Sequence, residues 1–356
     1  MLTKRQNDIL RLIIQHYTSS GMPVGSKTLM SEGVKASSAT IRNDMKALED
    51  EGLLLKTHSS SGRIPSALGY RYYVDHLLKP ARVAEDDLLL IRQSLGREFH
   101  EINEIIKQSA EILSELTSYT TFSLGPEIKD RRLTGFRIVP LNNRQIIAIV
   151  VTDMGNVESQ VFTLPEYMGS QELEKMVQIV NDRLVGDPLM TVYHKLRTEI
   201  PMILHKYFQT TEGMSQLFDT VLGHVFEEKV YVSGQMNLLD YEPRQDLDQF
   251  KSMFSFMKDS DGLTQMITPM DSNIHIKIGA ELGNDLLQNM SMIQASYEID
   301  GHGRGIIALL GPTSMPYSRM FGLVDVYRRE LAAKLADYYR SLDLSNSNVN
   351  NEAICS

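Results

Sequence analysis

Ser37-Ser38-Ala39-Thr40-Ile41-Arg42-Asn43-Asp44-Met45-Lys46-Ala47-Leu48-Glu49-Asp50-Glu51-Gly52 is the stretch whose reading sets the fold of the N-terminal part of the chain. Ser37 and Ser38 are good N-caps, because a hydroxyl can accept from a helical N–H that has no partner in its own helix. Ile41, Met45 and Leu48 recur at helical spacing as one narrow apolar stripe, and Gly52 supplies the stop. The opposite face carries Ser38, Ala39, Thr40, Arg42, Asn43 and Lys46, with no carboxylate among them. Small residues let a helix approach a surface closely. Arg can grip guanine or phosphate, and Asn can pair bidentately with adenine. Taken alone, such a helix face is more often simply solvated; its neighbours decide the matter.

Upstream, Thr3 and Gln6 read as a capping box that opens a first helix. Ile9, Ile13 and Tyr17 give that helix an apolar face, and Gly21 ends it. Met22-Pro23-Val24-Gly25 reads as a turn, and Ser26 is placed to cap a short helix over Lys27–Glu32. Two helices joined by a tight Gly-containing turn, the second with a polar face, form a helix-turn-helix pattern. Downstream, Leu53–His58 and Arg63-Ile64-Pro65 flank a Ser/Gly tip and predict a β-hairpin, the wing of a winged helix. Lys46, Lys56, His58 and Arg63 are the candidates for phosphates or a minor groove, and Ser38, Arg42 and Asn43 those for base edges. Ile41, Asp44, Met45 and Leu48 are expected to be structural, and the aromatics of Tyr70–Tyr73 to pack rather than to stack on bases.

The charge distribution fits this reading. The chain of 356 residues has a net charge of −9, but residues 1–80 carry +4 and the remainder −13. A basic head on an acidic body is consistent with a DNA-reading module joined to a part with another job. No apolar run approaches membrane-spanning length, and the charged N-terminus is unlike a secretory signal. Cys355 is the only cysteine, which leaves no internal disulfide or cysteine-based zinc site. A soluble, cytoplasmic protein is the expectation.

Residues 81–185 open, after Pro80 and the acidic Glu85-Asp86-Asp87, on a long helix followed by strands at Leu133–Val139, Gln145–Val151 and Val157–Phe162. Ile274–Ile278, Met292–Glu298 and Gly305–Leu310 read as further strands, and Pro316 opens a final helix. Together, 81–185 and 263–340 read as two halves of one α+β domain. Residues 186–262, richer in Met and helix signals, read as an inserted subdomain, in which Met253 and Met257 are expected to be core filler. Residues 341–356 are Ser/Asn-rich and predicted to be disordered. The sequence holds no HExxH, P-loop, G-x-S-x-G or metal-spaced Cys/His set, so no enzyme chemistry and no cofactor is expected. Gly301-His302-Gly303-Arg304-Gly305, the one loop that could tempt a phosphate-binding reading, sits between two strand-like runs and reads as a hairpin turn.

Several of these stretches resemble one family. Ala36–Met45, Ser61-Gly62-Arg63-Ile64-Pro65 and Gly69-Tyr70-Arg71-Tyr72-Tyr73-Val74-Asp75 are similar to text of the bacterial heat-inducible transcription repressors of the HrcA family, as are Val150–Asp153, Tyr231–Gly234, Leu309–Thr313 and Met315–Tyr317. The resemblance implies a winged helix in 1–80, a GAF-like domain and a dimerising inserted subdomain. It also implies binding as a homodimer to double-stranded DNA at an inverted-repeat operator of chaperone operons, release on heat stress, and the chaperonin as a partner. A metabolite-sensing regulator that uses the body as a ligand receptor is the alternative the sequence leaves open.

Overall fold

The structure, a computed structural model, describes residues 2–56, 62–126, 131–142, 144–153, 157–163, 170–207, 230–240, 247–257, 260–267 and 273–354. Three helices come first: α1 (Lys4–Ser20), α2 (Ser26–Ser31) and α3 (Ser38–Asp50). The Thr3/Gln6 capping box forms at the start of α1, and Gly21 closes it in the left-handed conformation with φ 66°. The Ser37 hydroxyl accepts from Thr40 N–H at 3.1 Å and caps α3. Ser26 does not cap α2; its hydroxyl bonds instead to that of Ser38 at 2.9 Å and ties α2 to the start of α3.

Strands β1 (Leu54–Lys56) and β2 (Arg63–Pro65) then pair antiparallel, with Lys56 opposite Arg63. Val24, between α1 and α2, exchanges both backbone hydrogen bonds with Arg63 at 2.9 Å, so the hairpin is stitched to the helical turn. Next comes α4 (Ala67–His76). Ile9, Ile13, Leu29, Ile41, Leu48 and Leu54 are buried at the centre of these elements, an apolar cluster drawn from every one of α1, α2, α3 and β1.

The body holds two separate antiparallel sheets. In the first, five strands run in the order β7 (Val230–Ser233), β3 (Thr120–Leu124), β10 (Gly303–Pro312), β9 (Met290–Ile299) and β8 (Ile274–Ile278). Period-2 alternation sends Ile293, Ala295, Tyr297, Ile307 and Leu309 to one face. There they meet α5 (Glu85–Leu95), α6 (Ile102–Thr117) and the final helix, α12 (Tyr317–Ile354), in a cluster continuous with that of the head. Met292, Ile306, Ala308 and Leu310 point the other way. They pack on Met253 of α10 (Leu247–Phe256), on Met257 just past its end, and on Leu263 and Met266 of α11 (Ser260–Met266). Both faces of β9 and β10 are therefore covered, which explains their unbroken apolar text.

The second sheet is β4 (Leu133–Pro140), β5 (Gln145–Thr152) and β6 (Val157–Thr163), backed by α7 (Ser170–Leu184), α8 (Leu189–Arg197) and α9 (Glu199–Tyr207) around their own core of Phe136, Ile146, Val150, Met176, Val180 and Leu204. The sequence reading is corrected at this point. It assigned 133–163 to the domain of 274–310 and began the insertion at 186. In the structure Gly186 N–H donates to the Leu133 carbonyl and Leu189 N–H to that of Arg131, so 186–207 stays with β4. Residues 230–233, 247–257 and 260–267, by contrast, return to the five-stranded sheet. Alternating strands look alike whichever sheet they join, so the period alone could not assign them.

Two smaller corrections follow. The long helix expected after Glu85 is two helices: the segment between them is held by α12, whose Lys334 ammonium donates to the Arg97 carbonyl and Tyr338 hydroxyl to that of His100. The final helix runs on to Ile354, through residues expected to be disordered. Growth from an already packed helix needs no second nucleation, so a weak helix-forming composition can extend it. Met253 and Met257 are buried, as expected, and Asp300-Gly301-His302 is the turn between β9 and β10. Among the described residues no helix is long and apolar enough to cross a membrane.

Candidate nucleic-acid interface

Helix α3 divides into two faces by burial. Ile41 and Leu48 have no exposed surface and Met45 almost none. Asp44 joins them on the inner side, where Arg5 of α1 donates Nε to its Oδ2 at 2.6 Å and Nη2 to Oδ1 at 3.4 Å. This pair fixes the angle between α1 and α3, and the Asp44 charge and hydrogen bond push the Arg5 guanidinium above its ordinary pKa. The expected structural role of Asp44 thus has a named partner.

The outer face is different. Arg42, Asn43 and Lys46 are exposed, and none makes a side-chain hydrogen bond or ion pair among the described residues. Ala39 is exposed beside them, whereas Ser38 and Thr40 are half-buried with their hydroxyls engaged on Ser26 and Ser37. The helix therefore offers one Arg, one Asn and one Lys behind a small, closely approachable N-terminal end. Lys27 and Lys35, which the sequence reading passed over, are also exposed close to that end in the chain. No motif marks them; only their place next to Ser26 and Ser37 does.

On the hairpin the outcome is mixed. Lys56 is exposed. His58 lies outside the described residues. Arg63, expected to be a phosphate contact, is taken up by the fold: Nε and Nη2 reach Glu49 Oε2 at 2.8 and 2.7 Å, and the side chain is only 14% exposed. An arginine held on a carboxylate that shields it is a poor phosphate ligand. Its role is to lock β2 against α3.

Helix α4 turns away from this surface. Ser66 caps it, and the same hydroxyl donates to the Gly52 carbonyl at 2.6 Å. A Cβ on Gly69 would lie 2.1 Å from the Leu53 carbonyl oxygen, so only glycine lets α4 sit so close to the end of α3. Tyr72 donates to Asn7 of α1, Tyr73 is buried, and Tyr70 packs against Tyr317 of α12 with ring centroids 5.8 Å apart. Packing, not stacking on bases, occupies these aromatics. Among the described residues no cluster of three His, Cys, Asp or Glu side chains is placed to hold a metal ion.

Residues 103–321 match the HrcA protein C terminal domain family. The heat-inducible transcription repressor HrcA of Enterococcus faecalis is 68% identical over 96% of this chain and 99% of that protein. This chain belongs to the HrcA family. The heat-inducible transcription repressor HrcA of Tetragenococcus halophilus, 62% identical over 96% of this chain and 99% of its own length, is a second such relative. A crystal structure of a hypothetical protein, 21% identical, covers 95% of this chain and 100% of that one with a TM-score of 0.59, a likeness of fold alone. HrcA relatives are transcription repressors, so a surface that meets DNA is the site to look for, and among the described residues of the head the outer face of α3 presents a set of unsatisfied, base-competent side chains together.

Proposed function

We propose that this chain is a heat-inducible transcription repressor that reads double-stranded DNA with a winged helix formed by residues 4–76, α3 being the helix that enters the major groove. The observation that carries the reading is the division of α3: a fully packed inner face, and an outer face whose Arg42, Asn43 and Lys46 have no partners among the described residues. Arg42 and Asn43 contact base edges and Lys46 a phosphate, with Ser38, Ala39 and Thr40 letting the helix come close. Lys56, Lys27 and Lys35 add phosphate contacts, and Arg63 supports the wing instead of touching DNA.

The repressor acts as a homodimer on an inverted repeat, because two-fold symmetry in the protein calls for two-fold symmetry in the operator. The surface that fits self-association is the bare side of the three-stranded sheet, where Val139, Val157 and Val161 are 43%, 60% and 49% exposed around Ile147. An apolar sheet face open to water is the mark of a contact surface. The five-stranded sheet corresponds to the GAF-like domain and the three-stranded unit to the dimerising insertion. The chaperonin as a partner, the placement upstream of chaperone operons and a cytoplasmic location rest on the family resemblance. No described residue set favours a metabolite receptor, and the reading includes no enzymatic step.

Heat releases the operator by lowering the population of the dimer, and two-site binding then falls steeply because its avidity is lost. The test is a binding titration on an inverted repeat from growth temperature through heat-shock temperature, with oligomeric state followed in parallel. Dimer loss that tracks operator release supports the reading. A protein that stays dimeric and bound throughout contradicts the heat mechanism, and a protein that never binds the repeat contradicts the function.

A further inference from the structure

The geometry points to Arg71 as a positioning residue for DNA binding: it fixes the orientation of the head on the body, and so the spacing of the two reading helices in the dimer. This rests on the dimeric reading above and adds the element that gives the dimer its ruler.

The argument follows a chain of contacts from the reading helix to the body. Helix α3 ends at Asp50, and α4 is locked to the residues just after it by the Ser66 hydroxyl on the Gly52 carbonyl and by the close approach of Gly69 to Leu53. One turn along α4, the Arg71 guanidinium makes four hydrogen bonds. Nε and Nη2 reach the two carboxylate oxygens of Asp75 at 3.1 and 2.7 Å, which sets the guanidinium plane. Nη1 then donates to the Ile276 carbonyl at 2.8 Å and to Glu281 Oε2 at 3.0 Å, both in the body. Ile276 lies on β8, the edge strand of the five-stranded sheet, so Arg71 bonds a backbone group that no further strand pairs. Glu281 is itself pinned, since Oε2 also accepts from Ile278 N–H at 2.9 Å. Both body partners of Arg71, a carbonyl of β8 and the Glu281 carboxylate, are thus held, and its fork is matched to this orientation of the head. A planar five-donor group is suited to such a task, and a lysine is not.

The connection between head and body does not relax this constraint. Ala81 N–H donates to the Ser318 carbonyl at 2.9 Å, and the Ser318 hydroxyl donates to the Lys79 carbonyl. A Cβ on Gly322 would lie 2.2 Å from the Ala81 carbonyl oxygen, so the segment 79–81 is pressed onto α12. Tyr70 against Tyr317 fills the space between. A repressor whose heads swung freely on linkers would accept many half-site spacings. One whose heads are clamped accepts few, and gains more affinity from the second half-site because less freedom is lost on binding it.

The experiment compares full-length wild type with Arg71→Ala, Arg71→Lys and Glu281→Gln on three DNAs: a single half-site, the inverted repeat, and inverted repeats whose spacer is longer or shorter by a few base pairs. For Arg71→Ala the half-site affinity is expected to stay within about twofold of wild type, because the reading face is untouched. Its affinity for the inverted repeat should drop about tenfold or more, and its preference for one spacing should flatten. Arg71→Lys should not restore either property. Glu281→Gln, which leaves the Asp75 and Ile276 bonds in place, should show the same change in smaller measure and guards against a variant that merely fails to fold. The inference is overturned if Arg71→Ala keeps the wild-type ratio of full-site to half-site affinity. It is overturned equally if half-site and full-site affinity fall in parallel, since Arg71 would then only stabilise the head. If wild type itself binds the repeat no better than the half-site, the dimeric reading fails first, and this inference with it.

Discussion

Arg42 and Arg71 lie on neighbouring helices of the same small head, and the fold treats them in opposite ways. Arg42 stands on the outer face of α3, exposed and without a partner among the described residues. Arg71 stands on the body-facing side of α4 with hydrogen bonds to Asp75, Ile276 and Glu281. Arg63 falls between them in position and joins Arg71 in kind, bound to Glu49. Three arginines in basic text thus separate, among the described residues, into one cation without a partner and two structural clamps. An arginine is available to a phosphate or a base when folding leaves its donors unmet, and its neighbours in three dimensions decide that.

The largest effect that would sharpen this contrast is on specific binding. Arg42→Ala or Asn43→Ala should each lower affinity for the operator by roughly 1–3 kcal/mol, about five- to 150-fold, while leaving thermal stability within about 0.5 kcal/mol. Titration of operator DNA at fixed salt, alongside thermal unfolding, checks both halves of the statement.

The inner face should behave in reverse. Arg5→Ala strands the Asp44 carboxylate, which is 10% exposed, whereas Asp44→Ala leaves an arginine that is already 49% exposed. Removing Arg5 should therefore cost about 1–3 kcal/mol of head stability and removing Asp44 distinctly less, since an unpaired buried group carries the larger penalty. Denaturant unfolding of the two variants gives the order. Equal losses would mean that the pair contributes nothing beyond its packing.

The clamp and the free cation also differ in salt dependence. Lys46→Ala should reduce the slope of log affinity against log salt by about one unit, as expected when one phosphate contact is lost. Arg63→Ala should leave the slope unchanged and lower stability by about 1 kcal/mol. A slope change for Arg63→Ala would return it to the DNA surface.

The smallest effects concern the joint. The Tyr70 hydroxyl is buried with no hydrogen-bond partner among the described residues, and burial pushes its pKa up. Tyr70→Phe should be neutral or stabilising by up to about 1 kcal/mol. On β8, His275 is held below its ordinary pKa of 6.5 by burial and by Lys277 and Arg71, against the opposing charges of Glu281 and Asp75. Its neutral form is the one the fold prefers, so the contribution is present above about pH 6.5 and is lost as pH falls through the lower folded value. His275→Asn should flatten the decline in melting temperature between about pH 7 and 5; an unchanged profile would remove His275 from the account.

The sequence carried the head further than the body. Caps, glycine stops and the Ile41/Met45/Leu48 stripe are local signals, and Thr3, Gln6, Ser37, Gly21 and the β1–β2 pairing follow them. The free face of α3 was legible for the same reason: helical spacing alone sorts Arg42, Asn43 and Lys46 from Asp44. Arg63 was not, because its partner Glu49 is 14 residues away on another element. In the body β4, β5, β6, β8, β9 and β10 were legible as strands, but β7 and the sheets they join were not, since β3 pairs with strands more than a hundred residues distant. β3 was missed outright. Thr120, Thr121 and Ser123 are fully buried in it, their hydroxyls bonded to Gly234, Ala110 and Ser109, so a central strand reads as polar text.

The central claim is that the partnerless outer face of α3 reads DNA sequence. Selection of bound sequences from a random DNA pool at fixed salt, with wild type and Arg42→Ala in parallel, tests it most directly. The account predicts an enriched inverted repeat for wild type, and for Arg42→Ala the same repeat with one base position relaxed in each half. An identical selected sequence for both proteins, at equal affinity, would contradict it and place the reading surface elsewhere on the molecule.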